Sequence, residues 1–222
     1  MFDENGKYKF DGFNEFLTTY ENATQALQSP EDFKRLTQSV LENLAENNVV
    51  YAETFISPDF CGDRDLGAWH EYLAAMREAH VEGVTLKGIV TCIRHLGPEK
   101  AREAAFCAAE TAGDWVVGFG MAGAENVGRA KDYSYSFDMA REAGLRLTSH
   151  AGEWCGAESV WETLRDLRVE RIGHGVHSIN DPKLVEHLAE TGVALEINPG
   201  SNVALGVYPS WIDHPMKRLR DA

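Results

Sequence analysis

Hydrophobic and polar positions follow two different patterns that alternate along the chain. Short apolar runs recur, and the longer stretches between them carry apolar residues at helical spacing. Uninterrupted apolar runs predict strands that are buried on both faces. Such runs occur at 49–55, 86–93, 115–119, 145–148, 171–174 and 193–197. Strands that alternate with helices predict a parallel sheet, because each helix returns the chain to the end of the sheet at which the preceding strand began.

The stretches between these runs begin and end with residues that favour helix boundaries. Ser29-Pro30-Glu31-Asp32 supplies an N-cap, a proline in the first turn and two early acidic residues. The apolar residues that follow fall on one helical stripe: Phe33, Leu36, Val40, Leu41 and Leu44. Further helices are expected at 98–113, in a segment that ends at Gly144, and at 182–192.

Two parallel architectures compete, the doubly wound sheet and the (β/α)8 barrel. The first strand leads into Ser57-Pro58-Asp59-Phe60, which is not the glycine-rich phosphate loop of a dinucleotide-binding sheet. Polar or glycine positions instead mark the carboxyl end of each strand, as in barrel active sites: Glu53, Ser57, Arg94, His95, Gly123, Glu125, His150, Glu153, His174, His177, Asn198, Ser201 and Asn202. The prediction is an α/β TIM barrel with about six of its eight strands, forming a single incomplete domain over 1–222.

The amino-acid composition excludes two classes of binding partner. The formal net charge is −14, with 35 acidic residues against 21 Lys and Arg. Nucleic acids and anionic membranes both require a basic face, so neither is expected as a partner. The four cysteines form no Cys-x-x-Cys pair, and the amino terminus lacks a secretory pattern. We therefore predict a cytoplasmic protein.

The segment Thr148–Trp154 carries the first candidate chemistry. His150 lies where a strand should end, and Glu153 follows three positions later. A neutral imidazole is a zinc ligand or an acid–base group, and a nearby carboxylate can move a proton. The alternative is structural: Glu153 would cap the next helix, and His150 would be a satisfied core histidine.

The next strand strengthens the chemical interpretation. Arg171–His177 places His174 at a second strand end, between two glycines that permit close approach. Two consecutive strands then bring histidines to one rim. His177 is interpreted as a surface residue, His95 has no assigned role, and His214, which precedes a proline, is expected to be structural. The helical stretches carry histidines that should face solvent: His70, His80 and His187.

Six short motifs occur in order along most of the chain: Tyr51-Ala52-Glu53 with Ser57-Pro58, Val-Gly-Phe-Gly-Met-Ala-Gly at 117–123, His-Ala-Gly-Glu at 150–153, Gly-His-Gly-Val at 173–176, Asn-Pro-Gly-Ser-Asn at 198–202, and His214-Pro215. Each motif is weak by itself. The ordered set resembles the adenosine deaminase family, whose sibling enzymes that deaminate free adenine share most of these motifs.

The resemblance implies a zinc-dependent (β/α)8 barrel of the amidohydrolase type, with a purine nucleoside as its small-molecule partner. Adenosine or 2′-deoxyadenosine would be hydrolysed to the inosine product and ammonia in purine salvage. His150 would be a zinc ligand, Glu153 the proton donor to the purine ring, and His174 would orient and help deprotonate the attacking water. Gly123 would offer its backbone N–H to the purine. The apolar residues near the amino terminus would help to cover the substrate, with simple packing as the alternative: Phe10, Phe13, Phe16 and Leu17.

The sequence departs from the family pattern in two places. It contains no His-x-His, which supplies two zinc ligands on the family's first strand, and no Asp-Asp pair of the eighth strand. Catalytic zinc sites use at least three protein ligands. We therefore expect that the remaining ligands lie outside this chain, that the chain is a fragment of a longer deaminase, and that these 222 residues alone are inactive.

Two other functions remain open at this point. One is deamination of adenine or another aminopurine, because the contact that would recognise the ribose lies in the region after the absent first strand. The other is a truncated, non-catalytic paralogue that binds nucleosides.

Overall fold

The computed structural model describes residues 12–222, except for the side chain of Asn14. Within that range, six parallel strands form one sheet in sequential order. They are β1 Tyr51–Ile56, β2 Thr85–Ile93, β3 Val116–Ala122, β4 Arg146–Ala151, β5 Arg171–His174 and β6 Ala194–Glu196. The apolar runs thus predicted the strands, and the α/β fold with six barrel strands is confirmed.

Helices precede and connect the strands, and two more follow β6. They are α1 Phe13–Thr24, α2 Pro30–Glu46, α3 Leu66–Glu78, α4 Pro98–Thr111, α5 Ser134–Glu142, α6 Ala157–Leu167, α7 Pro182–Thr191, α8 Pro199–Ala204 and α9 Met216–Asp221. Short 3-10 turns lie at Arg94–Leu96, Ala130–Tyr133 and Val176–Asn180. Within the part of the chain that is described, no helix combines the length and apolar character that crossing a bilayer would require.

Local sequence explains where α2 begins. The Ser29 hydroxyl accepts a hydrogen bond from the Asp32 N–H, and the Asp32 carboxylate accepts one from the Ser29 N–H, so two orphan donors are satisfied reciprocally. The predicted apolar stripe is divided, however. Phe33 and Leu41 are buried, whereas Leu36 is 44% exposed. α2 packs on α3 through one side of the stripe, and the other side borders a groove between α1 and β1.

The sheet is curled, because side chains of distant strands meet on one of its faces. The Arg171 guanidinium on β5 pairs with the Glu53 carboxylate on β1 at 2.7 Å and with Glu196 on β6 at 3.2 Å. Thr148 on β4 donates to the other oxygen of Glu196 at 2.7 Å. Strands β1 and β5 are not neighbours in the sheet, so this ion pair spans the inside of an open half-barrel.

The other face of the sheet is covered by helices. Four alanines of α4 are fully buried, and their small side chains let the helix lie close to β2 and β3: Ala101, Ala104, Ala105 and Ala108. Phe119 of β3 packs edge-on against Phe137 of α5, with ring centroids 5.2 Å apart. This packing fixes the strands whose carboxyl ends form the rim described below.

Candidate functional site

A cavity of about 290 Å³ lies at the carboxyl ends of the strands, at the lower end of the range for small-molecule sites. Its walls come from α1, α8, the carboxyl ends of β1 to β5 and the segments after β1 to β4. The residues predicted for the site all border it: Gly123, His150, Glu153 and His174. Phe13, Phe16 and Leu17 of α1 also border it, whereas Phe10 lies outside the described residues.

His150 and His174 are adjacent because their strands are paired. The β4–β5 register places His150 opposite Gly173 and Ala151 opposite His174. The two imidazole rings meet edge-on, with centroids 4.9 Å apart. Burial, with the charges of His174 and Arg94, lowers the pKa of His150 to about 3. His150 is therefore neutral near pH 7, as a metal ligand must be.

Gly173 is required at its position by this neighbour. A side-chain Cβ there would lie 2.5 Å from the Cδ2 atom of His150, closer than such atoms approach in proteins. Gly123 meets a different requirement. It follows β3 with φ of +98°, a backbone conformation that side chains oppose, and an added Cβ would lie 2.8 Å from His95 Nδ1.

Glu153 is almost fully buried, and its Oε1 atom lies 3.5 Å from His174 Nε2. It does not cap α6, because the N-cap of that helix is Gly156, so the structural alternative for Glu153 is wrong. Burial, and to a smaller extent the charge of Glu125, raise the pKa of Glu153 to about 7. A large fraction of the carboxyl therefore holds its proton at neutral pH, which suits a proton donor.

A chain of hydrogen bonds leads from the backbone to His174. Met216 N–H donates to His214 Nδ1 at 3.2 Å, and His214 Nε2 meets Asn202 Oδ1 at 3.1 Å. Asn202 Nδ2 in turn meets His174 Nδ1 at 3.0 Å. Because Met216 supplies a fixed donor, His214 must carry its proton on Nε2 and donate to Asn202, whose amide then donates to His174. His214 therefore has the structural role that was expected, and through Asn202 it orients His174 in the site.

This order of donors fixes the tautomer of His174. Its Nδ1 accepts from Asn202, and burial lowers its pKa to about 4, so the neutral ring carries its proton on Nε2, toward Glu153. A nitrogen that carries a proton cannot bind a metal. His174 also has φ of +64°, which is uncommon for a residue other than glycine and turns the ring into the cavity.

Three side chains are close enough to bind one metal ion together. One donor atom each from His150, Glu153 and His174 lies within 4.8 Å of the others. Imidazole and carboxylate are the donors that zinc accepts at catalytic sites. The geometry thus fits a metal ion, with His150 as the residue whose ring nitrogens form no hydrogen bond within the described part of the chain.

Three further residues, which the sequence analysis did not assign to the site, help to organise this cavity. His95 borders the cavity and accepts from the Ala124 N–H at 3.3 Å. Asn202 completes the chain to His174, and buried Glu125 binds the backbone of the loop that carries Glu153. Their positions after strands were visible in the sequence, but nothing there indicated their partners. His70 and His80 are exposed, as predicted.

The chain is similar in sequence and in structure to several known proteins. The model of the adenosine deaminase family matches residues 3–222. An adenine deaminase from Agrobacterium fabrum is 47% identical over 227 residues, which cover 100% of this chain and 69% of that protein. The crystal structure of adenine deaminase from Arthrobacter aurescens has a TM-score of 0.85 and 30% identity, over 96% of this chain and 66% of that one. A zinc-bound amidohydrolase from Burkholderia ambifaria has a TM-score of 0.78 and 27% identity, over 88% and 56% of the two chains.

These relatives correct the substrate prediction. Adenosine and 2′-deoxyadenosine were expected as substrates, but the relatives of highest identity given above are adenine deaminases. The prediction of adenosine deamination to inosine is therefore wrong. The physical reason is that the sequence motifs contain the residues proposed for hydrolysis at the purine amino group. Both activities need those residues, and the motifs do not reach the ribose.

Proposed function

The chain belongs to the adenosine deaminase family, and we propose that its site deaminates free adenine by hydrolysis. Water replaces the amino group at C6, which gives hypoxanthine and ammonia. The observation that carries the proposal is the cluster of His150, Glu153 and His174 in one cavity, in a chain that is 47% identical to an adenine deaminase. The chain spans 69% of that relative's length.

The site would hold one zinc ion, with His150 as a ligand. Zinc, when bound, would lower the pKa of water and so supply a nucleophile at neutral pH. Residues 12–222 offer Glu153 and His174 as the other nearby donors, but the first is needed for proton transfer and the second carries its proton on the facing nitrogen. The remaining ligands would therefore come from outside the described residues.

Glu153 would donate its proton to a ring nitrogen of adenine, which makes C6 more electrophilic. Its position inside the cavity and its raised pKa both support this role. His174 would orient the attacking water through its Nε2–H. The proton-accepting part of the predicted His174 role requires a free Nε2 lone pair, so we propose the orienting part alone. Gly123, in the cavity wall, would present its backbone to the purine.

The function is tested by a comparison of two substrates. The protein is expressed from the complete reading frame that encodes this chain and is loaded with zinc. We expect kcat/KM for adenine to exceed that for adenosine by at least about 100-fold, since enzymes that contact only one of two substrates fully discriminate on this scale. Release of ammonia and the shift in ultraviolet absorbance measure both reactions. A preference for adenosine contradicts the adenine assignment, and no turnover of either contradicts the deaminase assignment.

The metal assignment is tested at Gly173. Replacing Gly173 by alanine forces the His150 ring away from its position, because the new methyl group would contact Cδ2 at 2.5 Å. We expect zinc affinity to fall by about 10- to 100-fold, the usual cost of disturbing a ligand's support. Gly113→Ala is the matched control, since it adds a methyl group in open space. Competition with a chromophoric chelator measures the affinity, and wild-type affinity in Gly173→Ala would contradict the assignment.

A further inference from the structure

We infer that Glu125 is a positioning residue for the proposed deamination: its carboxylate binds the loop that carries Glu153 and fixes where that side chain enters the cavity. The inference rests on the proposed function. It concerns the segment after β3, in which Glu125 is 4% exposed and makes no contact with the cavity itself.

The carboxylate of Glu125 accepts five hydrogen bonds from one short segment. Its Oε1 atom accepts from Gly152 N–H and from the Ser159 hydroxyl, both at 2.5 Å. Its Oε2 atom accepts from the N–H groups of Glu153, Trp154 and Cys155 at 3.1, 2.8 and 3.0 Å. Four successive backbone donors therefore converge on one side chain.

Such a set of convergent N–H groups binds an anion and repels a cation. None of the ion pairs within residues 12–222 includes Glu125, so these donors and the start of α6 balance its charge. The loop bends around the carboxylate through Gly152, which has φ of +66° and would place a Cβ 2.6 Å from Val160. Without an acceptor, the four amides would lose their common partner, and those of Gly152 and Glu153 would lose it at buried positions, which costs free energy.

Glu125 is itself held firmly. The Ala124 N–H donates to His95 Nδ1 at 3.3 Å, just before it in sequence. After it, the buried Arg94 guanidinium donates to the carbonyls of Val127 and Gly128 at 2.8 and 3.2 Å. The segment after β3 is thereby fixed to the end of β2, and Glu125 transmits that position to the loop after β4. A flexible surface residue would not provide such a fixed reference.

The reaction is sensitive to this position. Glu153 must place its proton at one ring nitrogen, and a displacement of about 1 Å from a productive geometry costs about 10²-fold in rate. Its own N–H is one of the groups that Glu125 binds. Loss of the carboxylate should therefore lower kcat and change KM much less. The reason is that the loop supplies a proton donor and not the walls that bind adenine.

The test is removal of Glu125 followed by replacement of its carboxylate from solution. Glu125→Ala in the zinc-loaded protein should lower kcat for adenine by about 10- to 100-fold with KM changed less than about threefold. Acetate matches the CH₂–COO⁻ group that is lost, so it should restore kcat in a saturable manner. Acetamide has the same shape without the charge and should not. Glu158→Ala, an exposed position on α6, is the control that leaves kcat unchanged.

A second variant covers the case in which Glu125→Ala does not fold. Glu125→Gln keeps the shape but turns an NH₂ group toward backbone donors, so kcat should fall and acetate should have no effect, because the space is filled. Wild-type kcat in Glu125→Gln overturns the inference. So does equal restoration of Glu125→Ala by acetate and acetamide, or a lower kcat in a folded Glu125→Ala protein that acetate does not raise.

Amide hydrogen exchange separates this inference from the proposed function. If the wild-type protein turns over no aminopurine, the deaminase proposal fails by itself. The amides of residues 152–155 should still exchange faster in Glu125→Gln than in the wild type. Unchanged exchange at those four amides would show that Glu125 does not fix the loop.

Discussion

Replacing Glu153 by glutamine is expected to lower kcat for adenine by about 10²- to 10⁴-fold, the range contributed by a well-placed general acid. Glutamine has the same shape and no transferable acidic proton, so the cavity and the zinc content should be unchanged. The reason lies in the environment of this carboxyl, which is 3% exposed and has its pKa raised to about 7. Steady-state assays with adenine measure the effect, and Glu158→Gln on the exposed face of α6 is the control.

The same substitution carries a stability signature whose sign follows from the pKa. Folding raises the pKa of Glu153, so the protonated form stabilises the folded state below the unfolded pKa of about 4.5, and this stabilisation is lost as pH rises through about 7. In the metal-free protein, Glu153→Gln should therefore gain stability relative to the wild type between pH 5 and pH 8. More than a tenth of wild-type kcat in Glu153→Gln would contradict its role as the proton donor.

The second large effect distinguishes two neighbouring histidines. We expect His150→Ala to lower zinc affinity by more than about 100-fold, because removal of a ligand costs more than disturbance of its support. His174→Ala should keep most of the zinc affinity and lose activity instead. The two rings are only 4.9 Å apart, so the difference depends on protonation rather than on position.

This difference follows from the chain of hydrogen-bond donors that ends at His174. Met216, His214 and Asn202 together leave a proton on its Nε2, whereas no such chain within residues 12–222 constrains His150. Zinc titration against a chromophoric chelator, with adenine turnover on the same samples, measures both properties. An equal loss of zinc affinity in the two variants would show that His174 is also a ligand and that the tautomer is not fixed in this way.

The secondary structure could be predicted from the sequence because its causes are local. Each strand overlaps an apolar run of the sequence, although β1 and β6, at the two sides of the sheet, contain no fully buried residue. Helix α2 begins just after Ser29 because the Ser29 and Asp32 side chains bind free backbone N–H groups there. The parallel direction of the strands also followed, since each helical connection returns the chain to the same end of the sheet. The exposure of Leu36 and Val40 did not follow, because it depends on which neighbours α2 has.

The sequence also located the residues proposed to carry the reaction. His150, Glu153 and His174 could be selected because parallel strands bring their carboxyl ends to one rim, whatever the detailed packing. The substrate could not be selected in the same way. The motifs that carry the resemblance surround the proposed reacting groups, and these serve adenine and adenosine alike.

The sequence by itself determined the strands, the helices and the rim on which the chemistry lies. Only the tertiary structure decided how that chemistry is held: Glu125 under the loop of Glu153, and His214 and Asn202 behind His174. These partners are 28, 12 and 28 positions apart in the chain. Periodicity records which face of an element is buried, whereas a hydrogen bond between distant loops depends on where those loops meet, and that is fixed only when the whole sheet has curled.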